Sequence, residues 1–468
     1  MKRATPIIAL ALSACMTPPA PPPTLAPASA TGAFVGMPSA SIAPVPDDWW
    51  QLYDDPVLDK LVAASFAANA DLRVAYANLD GARAALAQAR AARLPQTSVE
   101  SSLGVDNPAN QPSASSLVPT TDYDIALAAS WDADLFGRLR SAALAAGADA
   151  DAQAAALDGL KVAVVADTVQ AYVELCGAGQ AQQVATEQVR LLERSAALVN
   201  EQFRAGEVSP LEVSQAATLV ETARAALPPL DAAAANARYR LATLQGRPPA
   251  EAQSMALACQ KLPRLRTAAP VGDGQALLLR RPDIREAERR LASASARIGV
   301  ARADLYPRVN LGGAISLLSG GFVATASPLV SWSFPNQAPA RARLAQARST
   351  EQAALAGWDV VVLRALREVE SALAAYDAEK RRNDSLGAAR EQAELTARRA
   401  AARVRLGDAA YLLQVDAERT RAQVALTQAQ SDLAVAQAEV TLFRTLGGGW
   451  RSDAARGGGW RSDATPLE

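Results

Sequence analysis

The side chains that could do chemistry are few, and one absence narrows the choice at once. The 468-residue chain contains no histidine, which removes a His-based triad, a histidine general base and a histidine metal site. Acids are plentiful. Asp54 beside Asp55, and Glu368 near Glu370, are pairs in which one carboxyl could give a proton while the other stays ionised. Both pairs fall in helical patterns without a pocket signal. No Gly-rich phosphate loop, serine nucleophile elbow or metal-ligand cluster accompanies them. The expectation is a protein without catalysis, cofactor or metal. Three cysteines are present: Cys15 lies in the N-terminal leader, and Cys176 and Cys259 remain as a possible pair.

The elements that would carry these residues are mostly helices. Half of the chain is apolar yet only 5 % is aromatic, because alanine supplies much of the apolar count. Long runs of Ala, Leu, Gln, Glu and Arg predict long, closely packed helices. The net charge of −1 gives no sign of a nucleic-acid partner. After the leader no run of about 18 or more strongly apolar residues occurs, so no membrane-spanning helix is predicted.

The leader begins with Lys2 and Arg3, continues through an apolar stretch at 6–11, and ends in Leu12-Ser13-Ala14-Cys15. That order is the pattern of an export signal. The ending LSAC resembles the lipobox of bacterial lipoproteins. The resemblance implies cleavage before Cys15 and lipid on its sulfur, with about 0.8 kcal/mol of membrane affinity per buried CH₂. An ordinary signal peptide with a chance cysteine is the other reading. Residues 17–46, rich in Pro, Ala, Ser and Thr, predict an extended, poorly ordered linker.

From 54 to 93 the pattern is helical, interrupted only by Gly81. Two alternating stretches follow, around Val99 to Val105 and Tyr123 to Trp131, joined by a proline-containing loop. Residues 138–205 then read as one helix without proline, roughly 100 Å long at 1.5 Å per residue. Gly206 stops it, Ser209 caps the next helix and Pro210 opens it. That helix runs through Pro228-Pro229 to about residue 245, where Gly246 stops it. The stretch 304–334 is a second strand pair, set between Pro307 and Pro335.

The plan occurs twice. Asp71 and Pro95 match Asp283 and Pro307 at an offset of 212, whereas Trp131, Gly206 and Gly246 match Trp332, Gly407 and Gly447 at 201. The offset changes inside the strand pair, so the first-half loop is about eleven residues longer, an insertion most cheaply carried by an exposed loop. The expected organisation is a signal peptide at 1–14, a lipidated linker at 15–46, a first repeat at 47–246 with strands at about 96–105 and 122–131, and a connection at 247–274. A second repeat covers 275–447 with strands at about 307–318 and 322–334, and a Gly-rich disordered tail fills 448–468, where GGGWRSDA occurs twice.

The motifs WWQLYDDPVLDKL at 49–61, WDADLFGRLR at 131–140 and LLLRRPDIREAERRLASASARIGVARADLYPRVNLGG at 277–313, with LREVESAL at 366–373 and LGGGW at 446–450, resemble the TolC-like outer-membrane efflux proteins. The likeness is to their lipoprotein branch, called NodT or OprM-type. It implies a mostly α fold with membrane β structure: a homotrimer in which four strands per protomer build a 12-stranded transmembrane barrel, and the long helices form a hollow α-helical barrel across the periplasm. It also implies a periplasmic membrane-fusion adaptor and an inner-membrane RND-type pump as partners, with cargo of small toxic compounds or drugs. A duct for type I protein secretion and a periplasmic coiled-coil lipoprotein without a pore are the alternatives.

The resemblance places adaptor contacts at the two helix turns farthest from the strands, Gly206, Glu207 and Ser209 in the first and Gly407 and Asp408 in the second. It places the pore gate just after the second turn, at Leu412 and Asp416, with Leu413 where some relatives carry a second Asp. Asp416 would be held by Arg419 or Arg405. Cys176 lies about 32 residues up from the Gly206 turn and Cys259 follows a returning helix of similar length. In an oxidising periplasm they are expected to be bridged, two free buried thiols being the other reading.

Overall fold

The structure, a computed structural model, describes residues 32–36, 43–106, 120–255, 259–266, 269–318 and 321–449. Cys15, the signal peptide and the duplicated tail motif lie outside the described residues. The fold is 73 % helical, with one four-stranded sheet among the described residues.

A short 3-10 turn, Trp49–Tyr53, precedes helix α1 at Pro56–Ala68. Asp55 caps α1 by accepting from the Val57 and Leu58 N–H groups, and Pro56 stands at its first position, where no N–H is missed. Helix α2 follows at Ala70–Ala91, then β1 at Gln96–Asp106 and β2 at Thr120–Asp132. Helix α3 runs over Arg138–Arg204, α4 over Pro210–Arg224 and α5 over Leu227–Leu244. In the second half come α6 (Gly274–Arg280), α7 (Pro282–Ala303), β3 (Arg308–Leu318), β4 (Gly321–Ser331), α8 (Ala338–Arg405) and α9 (Tyr411–Thr445).

Four features differ from the expectation. The 54–93 helix breaks at Asn69, not Gly81, which lies within α2. The extended backbone of Asn69 ends α1, its Oδ1 accepts from Leu72 N–H, and its Nδ2 donates to the Leu244 carbonyl at 3.1 Å. One amide thus caps a helix and ties it to another. The 211–245 helix divides at Ala225 and Ala226, just before Pro228 and Pro229, whose missing N–H groups fit only a helix start. Strand β4 ends at Ser331, short of Phe334. Residues expected in the linker and tail belong to the core: Phe34 and Val45 are buried, as are Gly448 and Gly449.

The contacts divide the chain into two compact units. One gathers residues 77–155 and 283–361 and contains the sheet. Its strand order is β1-β2-β3-β4, all antiparallel, so β2 pairs with β3 across the two halves of the sequence. Within each repeat the second strand is tied in the same way to the segment that precedes the first. Trp131 donates its indole N–H to the Arg93 carbonyl (2.9 Å), and Trp332 donates to Leu305 (3.1 Å), the position 212 residues after Arg93.

Of the described residues, the other unit gathers those from 32 to 76, 156 to 282 and 362 to 449 and contains the main apolar core. Trp49 is fully buried and stacks on Phe443, with ring centroids 4.7 Å apart. Gly448 and Gly449 close over it: a Cβ on Gly448 would lie 2.7 Å from Trp49 Cδ1. Among the described residues no helix is long and apolar enough to cross a membrane.

Candidate functional site

The sheet sorts its residues by face. Val99, Ile125, Leu127, Leu311, Ile315, Leu317, Phe322 and Val330 fall on one face, because the register sets Val99 against Leu127, Leu127 against Ile315 and Leu317 against Phe322. Most are exposed, Phe322 to 82 %. The opposite face carries Ser98, Glu100, Ser102, Asp124, Ala126, Ala128, Asn310, Gly312, Ala314, Ser316, Thr325 and Ser327. The sorting is incomplete: Thr97 and Ser101 share the apolar register, and Val323 and Leu329 the polar one. The acidic side chains described in the strands share the polar register: Glu100, Asp124 and Asp132. Asp132 is engaged by Arg138 at 2.7 Å, and the strand base Arg308 is spent on Asp304 at 2.6 Å. A large exposed apolar face in contact with water would be a severe aggregation liability, whereas lipid accommodates it.

The two helix turns share one geometry. Gly206 and Gly407 have φ of +76° and +74°, a left-handed conformation that suits glycine. Glu207 N–H returns to the Gln202 carbonyl and Asp408 N–H to Arg403, the six-to-one bond that closes a helix end. The Ser209 side chain caps α4, and Glu212 reaches back to the Ser209 N–H. Arg403 Nε donates to Asp408 Oδ2 at 3.0 Å. All five predicted turn residues are exposed.

Behind the turns lies a small core of Val199, Ala216, Tyr411 and Val415, with the Tyr411 and Ser195 hydroxyls 2.9 Å apart. Because 411 and 415 face this core, Leu412 and Asp416 lie one turn apart on the exposed side of α9. Leu412 is 57 % exposed, and Leu413 is also exposed. Asp416 is joined to Arg419 at 2.6 Å, the first of the two expected partners.

Cys176 and Cys259 form a disulfide with Cα atoms 4.6 Å apart. It fastens the connection to α3 so closely that a Cβ on Gly179 would lie 2.0 Å from the Cys259 carbonyl oxygen. The acid pairs have structural partners. Asp55 accepts the Tyr172 hydroxyl at 2.7 Å, and Asp54 pairs with Arg266. Glu368 pairs with Arg281 at 2.8 Å. Glu370 accepts two successive backbone N–H groups, Val35 at 2.9 Å and Gly36 at 2.6 Å, holding the N-terminal strap whose Phe34 enters the core. Among the described residues no three His, Cys, Asp or Glu side chains gather to hold a metal ion.

One group escaped the sequence reading. Glu439 is buried with Tyr53 and Tyr376, and burial pushes its carboxyl up to about 7, partly opposed by the two phenols. Its signal was present: Glu439 is the lone charge within LAVAQAEVTLF at 433–443.

A sheet with one lipid-compatible face, in a chain that also repeats a long-helix hairpin, is the make-up of an outer-membrane channel protein. The chain matches the outer membrane efflux protein family over residues 61–247 and 274–448 and belongs to it. It is 30 % identical over 465 residues to the pyoverdine export outer membrane protein OpmQ of Pseudomonas putida, covering 96 % of this chain and 97 % of that protein. It is 31 % identical over 462 residues to outer membrane protein OprJ of Pseudomonas aeruginosa, covering 95 % of each. Among solved structures, the outer-membrane channel OprN superposes with a TM-score of 0.85 at 34 % identity, covering 92 % of this chain and 99 % of that one. The chain is accordingly an outer-membrane efflux protein, in a family of transport proteins.

Proposed function

We propose that the chain is the exit duct of a tripartite efflux pump, with three copies closing a 12-stranded barrel. The observation that carries this reading is the four-stranded sheet with two free edges and faces sorted by polarity. In lipid each unpaired edge group costs several kcal/mol, so the sheet must close with copies of itself. Two copies would give about eight strands, an interior that side chains fill. Three leave a lumen, and the small inner residues Ala126, Ala128, Gly312 and Ala314 keep it wide. Strands of 11 to 13 residues suit a tilted crossing of the hydrocarbon core.

In this reading the long helices continue the duct through the periplasm, with Leu412 and Asp416 narrowing its entrance. The turns at Gly206, Glu207, Ser209, Gly407 and Asp408 meet a periplasmic membrane-fusion adaptor, which connects to an inner-membrane RND-type pump. That pump supplies the energy, since the sequence holds no nucleotide motif. The cargo is small toxic compounds or drugs, and the relative named for pyoverdine export supports a small-molecule cargo. Lipid on Cys15 anchors the mature N-terminus in the outer membrane. Cross-linking of the purified protein combined with single-channel recording in planar bilayers tests the reading. Trimers that conduct are expected; monomers alone, or no conductance under any condition, would refute it.

A further inference from the structure

A carboxyl at the centre of the apolar core joins three segments of the chain. Glu439 on α9 is 8 % exposed, Tyr53 in the 3-10 turn 5 %, and Tyr376 on α8 7 %. Tyr53 donates its hydroxyl to Glu439 Oε2 and Tyr376 donates to Oε1, each at 3.3 Å. Among the described residues no cation stands within ion-pair distance of Glu439. The cations that bear on it do so from farther away: Lys380 on α8 and Arg264 in the connection, the latter 3.6 Å from Asp432 on α9. On α3, Tyr172 is committed to Asp55.

A buried carboxylate without a counterion is costly, whereas a neutral carboxyl there is not. The site satisfies either form, because a protonated Glu439 can turn one contact around and donate to a phenol oxygen. The turn it holds is structurally central, since Trp49 in the same turn stacks on Phe443.

We propose that Glu439 is a proton-operated latch: protonated, it holds the Trp49–Tyr53 turn against α8 and α9, and on losing its proton it loosens that turn. The functional sense of the device rests on the reading that this core stands in the periplasm, whose pH follows the medium. Acid conditions would then tighten the core and neutral to alkaline ones would relax it. The sign follows from the raised carboxyl. Its stabilisation is complete below the ordinary carboxylate range and is lost as pH rises through about 7.

Hydrogen exchange of the purified full chain in nanodiscs, corrected for intrinsic rates, tests the latch without any appeal to conductance. Between pH 5.5 and 8 the amides of residues 49–53 should lose protection by about 30-fold, the linkage expected for a carboxyl moved from its ordinary value to about 7. The Glu439→Gln variant should show no such pH dependence. A pH-independent wild type, or the same pH dependence in Glu439→Gln, overturns the proposal while leaving the duct reading intact. Tyr376→Phe guards against a Gln variant that fails to fold. It removes a donor that favours the charged form, so the midpoint should move to higher pH, and an unmoved midpoint also overturns the proposal.

Discussion

Removing the disulfide tests how the connection between the repeats is held. The bridge closes a loop with a sequence separation of 83. In the chain-entropy treatment that constraint lowers the entropy of the unfolded chain enough to stabilise the fold by about 4.5 kcal/mol. Among the described residues no other covalent tie fixes the connection to α3, and the Gly179 close approach shows that the two backbones touch. A Cys176→Ser/Cys259→Ser double variant should therefore melt roughly 5–10 °C lower, given about 2 °C per kcal/mol for a chain of this size. It should also expose residues 259–266 to limited proteolysis. The assay pairs thermal melting with mass analysis after alkylation, with and without reductant. Wild-type protein should take up alkylating agent at 176 and 259 only after reduction. Labelling of both thiols without reductant, or an unchanged melting temperature in the double variant, would refute the reasoning.

Three further outcomes are expected. Asp416→Ala should raise the basal conductance in planar bilayers by removing the carboxylate that Arg419 holds beside Leu412, and an unchanged value would remove Asp416 from the gate. Gly448→Ala should cost about 1–3 kcal/mol by overpacking, because the added methyl would press on the rigid Trp49 ring; thermal melting reads the loss. A double change, Glu100→Lys with Asp124→Lys, should shift the reversal potential in a KCl gradient toward anion preference. Both acids occupy the polar register of the sheet, and the buried Oδ1 of Asp124 has no hydrogen-bond partner among the described residues. An unchanged reversal potential would place that face outside the lumen.

Much of the architecture was legible because it rests on local chemistry. The repeat could be read from Trp, Pro and Gly at fixed offsets, and those residues do the same work in both halves: Gly206 and Gly407 end long helices in the same left-handed turn, and Trp131 and Trp332 donate to equivalent carbonyls. Alternation around Val99 to Val105 and Tyr123 to Trp131 marked β1 and β2. Misreadings arose where a side chain acts over distance. Asn69 breaks a helix because it can cap Leu72 and reach Leu244, 175 residues away, whereas Gly81 merely weakens a helix that its neighbours sustain. The linker and tail looked disordered by composition, yet Phe34 is drawn into the core and Gly448 and Gly449 fit around Trp49.

The sequence by itself determined the longest helices, the glycine turns, the strand pairs and the family, since propensity, capping and periodicity act within a few residues. Only the tertiary structure decided which groups meet. It set Glu370 on the backbone of Val35 and Gly36, joined β2 to β3, and enclosed Glu439 between two tyrosines 386 and 63 residues away in sequence. Burial and pairing depend on elements that fold back from afar, and the energy of a carboxyl is set by that surrounding rather than by its place in the chain.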